Sequence, residues 1–210
     1  MRPTRLVGAL AAALALACPA VASGQSGGLT GTSAEATPSA DPTFYDLPFG
    51  SRDLRIGMRG TDVKTLNWVL RGLALGTPLS GDFIQETDGA VRSIQTAAGV
   101  SADGVVSQTT RKALARRMRS SRASWYGPGF YGNRTACGKV LKEATIGVAH
   151  KRLPCGTRVA FAYMGRWIRA KVIDRGPYIR GRKWDLTEAL AAQLGTIPVG
   201  TVRVKTAVAP

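Results

Sequence analysis

The chain has 210 residues, 44% of them hydrophobic, which is enough for two small domains with packed cores. Its formal net charge of +16 favours polyanionic partners. The basic residues are scattered and form no nucleic-acid-binding motif, so we predict no nucleic-acid partner. No stretch beyond the N-terminus is long and apolar enough to span a bilayer, which argues against a membrane-spanning protein.

Residues 1–22 have the three parts of a secretory signal peptide. Two arginines precede an apolar run over 6–17, and residues 20–22 form an A-x-A cleavage site. The competing interpretation is a lipoprotein signal at Cys18, but Ala15 stands where such signals usually carry Leu. We therefore predict a secreted protein that is extracellular or associated with the cell wall, or periplasmic where the envelope has an outer membrane, and not a lipoprotein.

The next two segments differ sharply in pattern. Residues 23–50 are rich in Gly, Ser, Thr, Ala and Pro and have no helical or strand period, which predicts a disordered linker. Residues 51–117 have the pattern of a small three-helix domain. Thr61 and Thr87 are candidate caps of the first two helices, and the third runs from about residue 107 to 118.

The basic segment 116–122 follows the third helix. It is either a solvated joint between the two domains or a contact with an anionic wall polymer.

The helical segment carries a series of turn, cap and core residues, namely Leu54-Arg55-Ile56-Gly57, Gly60, Asp62-Val63, Leu66, Gly81-Asp82-Phe83, Thr87, Ala90-Val91, Gln95, Gly99, Asp103-Gly104-Val105-Val106, Thr109 and Ala113-Leu114. This series resembles the bacterial peptidoglycan-binding domain type 1 family over the whole domain. The sequence departs from the family at Asn67, where Gln is usual, and at Ile94, where Phe is usual. The resemblance implies binding of wall peptidoglycan and assigns no residue-level site.

From residue 123 onward the helical pattern gives way to alternation. Residues 157–162, 167–174 and 201–205 alternate with a period of two, which predicts strands. Thr187 is a candidate cap of one helix that ends at Gly195. Several short strands and one helix predict a small closed barrel over 123–207.

Removal of the signal peptide leaves two cysteines, Cys137 and Cys155. Two cysteines in an exported chain most often pair with each other. Closing this loop stabilises a chain by about 3 kcal/mol in the chain-entropy model. A metal site that adds His150 is the alternative, but the sequence has neither a C-x-x-C pair nor a second histidine. We predict a disulfide, no metal and no cofactor.

Residues 123–210 hold four carboxylates against fifteen Lys and Arg, so acid–base chemistry has few candidates. Asp174 ends a predicted strand, where it serves either a site or a turn. His150 is the only histidine and is either a proton carrier near neutral pH or a structural side chain. Asp185 precedes the predicted helix, where it caps that helix or pairs with Arg182. The aromatic side chains are dense here, and their faces suit sugar rings.

The same half of the chain carries a long series of motifs, namely Ala123-Ser124-Trp125-Tyr126-Gly127, Phe130-Tyr131-Gly132, Thr135-Ala136-Cys137-Gly138, Val148-Ala149-His150, Leu153-Pro154-Cys155-Gly156-Thr157, Val172, Asp174-Arg175-Gly176-Pro177-Tyr178, Gly181-Arg182 and Asp185-Leu186-Thr187. These motifs resemble the rare lipoprotein A (RlpA) family. The resemblance implies a mainly-β, six-stranded double-psi β-barrel related to expansins. Active members of that family are lytic transglycosylases that cleave glycan strands stripped of stem peptides.

The sequence departs from the active RlpA pattern at two positions. Active members carry a Glu and an Asp where this chain has Lys139 and Lys142. One carboxyl group still suffices for a lytic transglycosylase, because the sugar's own 6-hydroxyl replaces water. Candidate residues are Asp174 and His150 for catalysis and Trp125, Tyr126, Arg175 and Tyr178 for substrate binding.

The sequence therefore predicts an exported multi-domain protein that binds peptidoglycan glycan strands and remodels them, as a lytic transglycosylase. Two alternatives stay open. One is an expansin-like protein that binds or loosens glycan without cleaving it, and the other is an interaction protein that recruits wall enzymes. Anionic wall polymers are a further predicted partner.

Overall fold

The structure, a computed structural model, describes residues 44–210. The predicted signal peptide and the predicted linker up to residue 43 lie outside the described residues. The end of that linker differs from the prediction, because residues 44–50 pack onto the folded part. Phe49 is only 4% exposed, and its ring centroid lies 5.2 Å from that of Trp167 in an edge-on contact. The Tyr45 carbonyl accepts a hydrogen bond from the Thr61 N–H at 2.9 Å.

Three helices form the first part of the fold, as predicted: α1 (Thr61–Gly72), α2 (Gln85–Ala97) and α3 (Gln108–Arg117). Their caps differ from the sequence prediction. Thr61 is the first residue of α1, and its hydroxyl donates to the Leu47 carbonyl at 2.8 Å. Thr87 lies inside α2 and donates to Asn67 Oδ1 at 2.8 Å. Both threonines bond to neighbouring segments instead of to their own helix ends.

Asn67, where the resembling family usually has Gln, is fully buried in α1. Its amide nitrogen donates to the carbonyl oxygens of Ser80 and Asp82, each at 3.0 Å. Its amide oxygen accepts the bond from Thr87. Because all of these partners are protein groups, Asn67 has a structural role that ties α1 to α2 and to the loop between them.

Six strands form a closed barrel, β1 (Arg119–Tyr126), β2 (Val148–Ala149), β3 (Arg158–Tyr163), β4 (Arg166–Asp174), β5 (Trp184–Thr187) and β6 (Val202–Ala209). Their order around the barrel is β1-β5-β2-β4-β3-β6. The β1/β5 and β2/β4 pairs are parallel, and the other pairs are antiparallel. The six-stranded closed barrel is confirmed. Helix α4 (Glu188–Leu194) follows β5 and ends at Gly195, whose φ is 76°.

Two barrel segments differ from the sequence prediction. The basic segment 116–122 is not a joint, because β1 begins at Arg119 and its residues 119–122 all pair with β6. Asp185 does not cap α4 but lies within β5, where it pairs with Ser124 of β1. Strands β2 and β5 are only two and four residues long, too short for alternation to reveal them.

The helical region packs directly on the barrel. One hydrophobic cluster joins the three helices to Ala160, Ala162 and Ala207 of the barrel, while a second fills the barrel interior. Trp68 of α1 lies at this contact, and the guanidinium of Arg169 is 5.4 Å from its ring centroid. Within residues 44–210, no helix has the length and apolar character needed to cross a membrane.

Candidate active site

A pocket of about 220 Å³ opens beside the ends of β1, β4 and β5. Its lining combines two carboxylates, three aromatic rings and several loop residues. It is lined by Tyr126, Phe130, Asn133, Arg134, Thr135, Leu141, Ala149, Asp174, Arg175, Gly176, Pro177, Tyr178 and Asp185. We call it the Asp174 pocket.

Strand register brings the two carboxylates of this pocket onto one face. Asp174 of β4 and Asp185 of β5 both pair with Ala149 of β2, which lies between them. Residues that pair across strands project from the same face of a sheet. With neighbouring strands about 4.8 Å apart, the two α-carbons lie roughly 10 Å apart. The carboxylates therefore flank a space that a sugar unit can enter.

A register shift between β2 and β4 places Asp174 on this face. Val148 pairs with Val172, but the next residue of β2, Ala149, pairs with Asp174, so Ile173 is an extra residue. Strict alternation would put Asp174 on the same side as Val172, which belongs to the barrel core. The bulge turns the strand end so that the carboxylate faces the pocket, as bulges beside functional sites often do.

Two backbone N–H groups fix the Asp174 carboxylate. Those of Ala136 and Arg175 each donate to Oδ1 at 2.8 Å. Ala136 precedes Cys137, and the predicted disulfide between Cys137 and Cys155 is present, with 5.7 Å between the α-carbons. The disulfide therefore restrains the loop that supplies one of these donors.

Asp185 has a different environment. Its Oδ1 accepts a hydrogen bond from the Ser124 hydroxyl at 2.7 Å. Burial raises the pKa of Asp185, and the negative charge of Asp174 adds to this effect, while Ser124 and Arg182 oppose it. The two carboxyl groups thus differ in environment although they share one pocket, which is the arrangement expected when one acts as an acid.

Tyr126 also lines this pocket, with its hydroxyl buried near the Asp174 carboxylate. Burial is the main cause that raises the pKa of Tyr126, followed by the negative charge of Asp174. This hydroxyl stays protonated and can donate a hydrogen bond. Within residues 44–210 it is buried and has no hydrogen-bond partner of good geometry. Phe130 lies edge-on to Tyr126, with 6.2 Å between the ring centroids, and Tyr178 is 83% exposed at the rim.

Two of the predicted site residues lie elsewhere. His150 lines a different depression. Its Nδ1 accepts hydrogen bonds from the N–H groups of Arg152 and Leu153, and its ring centroid lies 4.6 Å from that of Trp184. Trp125 packs against the barrel core and is not among the pocket-lining residues. The structure therefore brings Asp174, Tyr126, Arg175 and Tyr178 together, without His150 or Trp125.

Arg175 lines the pocket, but its guanidinium is engaged by the neighbouring loop. Its Nη1 donates to the Leu153 carbonyl at 3.0 Å and to the His150 carbonyl at 3.4 Å. It makes no ion pair with a carboxylate within residues 44–210. Lys139 and Lys142 are exposed on the loop beside the pocket and do not line it.

Comparisons with known proteins divide the chain at the same place as the fold. Residues 119–206 match the family described as "Lytic transglycolase", and residues 59–114 match the family described as "Putative peptidoglycan binding domain". RlpA of Aquifex aeolicus is 44% identical over 82 residues, which is 38% of this chain and 36% of that protein. The endolytic peptidoglycan transglycosylase RlpA of Campylobacter jejuni is 39% identical over 85 residues, which is 40% of this chain and 31% of that protein. The barrel resembles RlpA.

The RlpA-like match is confined to the barrel, so this chain spans well under half the length of these curated relatives. The predicted resemblance to both families, and with it the double-psi β-barrel class, is confirmed. Solved structures similar to the barrel include the Streptomyces papain inhibitor, at 24% identity and a TM-score of 0.37 over 44% of this chain and 94% of that one. A Clavibacter michiganensis expansin has 22% identity and the same TM-score of 0.37, over 43% of this chain and 50% of that one. Scores this low support no argument about function.

Proposed function

We propose that this protein is exported, binds peptidoglycan through its helical region and barrel, and cleaves glycan strands in the Asp174 pocket as a lytic transglycosylase. One observation carries the proposal. Asp174 and Asp185 share one face of the barrel, in a pocket lined by aromatic side chains. The similarity of the barrel to endolytic peptidoglycan transglycosylases and of the helical region to a peptidoglycan-binding domain supports the choice of substrate. The predicted signal peptide supports export.

The proposed reaction needs no water. Asp185, whose pKa burial raises, donates its proton to the glycosidic oxygen as the bond from that oxygen to C1 breaks. Asp174 stabilises the positive charge that develops at C1. The 6-hydroxyl of the same sugar then attacks C1, and Asp185 takes the hydroxyl proton. The product is a 1,6-anhydro sugar, and Asp185 regains its starting form.

This assignment modifies the sequence prediction, in which Asp174 was the acid and His150 assisted it. Asp185 takes the acid role because its environment favours the protonated form. Tyr126 takes the place of His150 as the neighbouring hydrogen-bond donor, because Tyr126 lines the Asp174 pocket and His150 does not.

Mass spectrometry of peptide-free glycan incubated with the mature protein tests the proposal. We expect 1,6-anhydro ends from the wild type and a loss of about a hundredfold or more in rate from Asp174→Asn and Asp185→Asn. Glu143→Gln is the control, since Glu143 is exposed and does not line the pocket. Undiminished cleavage by both pocket variants would show that the reaction centre lies elsewhere.

A second candidate function is expansin-like binding without cleavage. It is favoured by Lys139 and Lys142, which stand where the sequence prediction expects two acids in active RlpA members. Co-sedimentation of the wild type with glycan, without anhydro products, would establish this alternative in place of the enzyme.

A further inference from the structure

A second depression lies where the helical region meets the barrel, separate from the Asp174 pocket. Its volume is about 380 Å³, and the end of α1 forms one wall at Gly72. Three other segments of the chain contribute Arg117 and Arg119, His150, and Lys183. None of its lining residues is acidic. We call it the basic depression.

The three cations of the basic depression have no carboxylate partner among residues 44–210. The ion pairs found within residues 44–210 all lie in the helical region and its N-terminal extension, and none of them includes Arg117, Arg119 or Lys183. Like charges held together repel one another, and a bound anion would relieve that repulsion. The depression is therefore electrostatically suited to an anionic ligand.

The His150 side chain adds a donor. Its Nδ1 accepts hydrogen bonds from the N–H groups of Arg152 at 3.1 Å and Leu153 at 3.0 Å. In the neutral ring the proton must therefore be on Nε2. Burial is the main cause that lowers the pKa of His150, and the charges of Lys183 and Arg175 lower it further. The imidazole and the three cations thus offer hydrogen-bond donors to the depression.

We propose that the basic depression binds the phosphate groups of an anionic wall polymer built on a polyol-phosphate chain. A phosphodiester group offers only acceptors, and its tetrahedral oxygens can be reached by donors from several directions. A guanidinium group, such as that of Arg117 or Arg119, can donate two parallel hydrogen bonds to two oxygens of one phosphate. Leu73 and Val208 supply apolar contacts for the polyol carbons. The choice of a wall polymer rests on the proposed function, whereas phosphate binding does not.

Nuclear magnetic resonance of the imidazole tests the site directly, because the chain has a single histidine. The mature protein is titrated with glycerol 3-phosphate, with a short poly(glycerol phosphate) chain and, at the same ionic strength, with acetate. We expect saturable changes in the His150 signals with both phosphates, tighter binding of the polymer, and no saturation with acetate. The apparent pKa of His150 should rise in the complex, because a nearby anion stabilises the imidazolium.

Two variants and a control complete the test. Lys183→Gln and Arg119→Gln should each weaken phosphate binding about tenfold, since each removes a charge-assisted hydrogen bond. Lys171→Gln makes the same change in net charge on an exposed residue outside the depression and should leave binding unchanged. Equal weakening by Lys171→Gln, or equal saturation by acetate, would overturn the proposal. Tighter binding of a short DNA duplex than of poly(glycerol phosphate) would overturn the choice of polymer. Glycan cleavage is measured separately, so its absence leaves this test intact.

Discussion

The Asp185 carboxyl is half buried between β1 and β2, and burial raises its pKa above the usual range. A carboxyl whose pKa is higher in the folded than in the unfolded chain binds more protons when folded. Its contribution to stability is therefore present at low pH and lost as the pH rises through the folded pKa. At neutral pH the raised pKa of Asp185 therefore lowers the stability of the fold, a cost that is expected where function requires the group.

Asp185→Asn should raise the melting temperature at neutral pH by about 2 °C, because it removes a partly buried ionisable group with a raised pKa while its amide oxygen still accepts the Ser124 bond. The difference between the two proteins should vanish below about pH 3, where the wild-type carboxyl is protonated. Thermal unfolding followed by circular dichroism across this pH range measures both effects. A lower melting temperature for the variant at neutral pH would contradict the argument.

At the scale of elements, alternation in the sequence predicted the barrel strands β3, β4 and β6, while a candidate cap and a terminating glycine predicted the helix between β5 and β6. It did not predict the position of the Asp174 side chain. Strict alternation assigns Asp174 to the face of Val172, and only the extra residue Ile173 moves it to the face of Asp185. A bulge is set by pairing with a distant strand, so a local pattern does not contain it. The position of the His150 ring was not predictable for a similar reason, since its contact with Trp184 joins residues far apart in the chain.

The disulfide gives a prediction for the loop beside Asp174. Replacing both Cys137 and Cys155 by Ser should lower the free energy of unfolding by about 3 kcal/mol, because it frees a loop with a sequence separation of 18. Glycan cleavage should also fall, since the Ala136 N–H that bonds to Asp174 precedes Cys137. Denaturant unfolding and the cleavage assay measure the two effects. Wild-type protein treated with a reductant should match the variant, and unchanged cleavage in both would show that the loop holds its position without the bond.

At the scale of the whole molecule, the helical region and the barrel share a hydrophobic cluster. The described residues, 44–210, belong to one compact unit. A sequence boundary between two domains therefore does not imply that they move independently. Sequence patterns identified both parts because each has its own period, but they gave no sign of this contact. The residues at the centre of this contact, such as Trp68 and Ala207, are apolar, and the sequence alone does not show which of the two hydrophobic cores they join.

A substitution at Gly72 tests whether this contact stabilises the helical region and the barrel together. A β-carbon on Gly72 would lie 2.8 Å from the backbone carbon of Ala207, so any side chain there must push α1 away from β6. Gly72→Ala should therefore destabilise the protein by about 1–3 kcal/mol. Gly89→Ala is the matched control, because Gly89 lies within α2 with no atom within 4 Å of the added carbon, and Ala favours helix by about 1 kcal/mol over Gly. Calorimetry should show one unfolding transition for the wild type and for Gly89→Ala. A Gly72→Ala protein as stable as Gly89→Ala would show that the contact is not tight in solution.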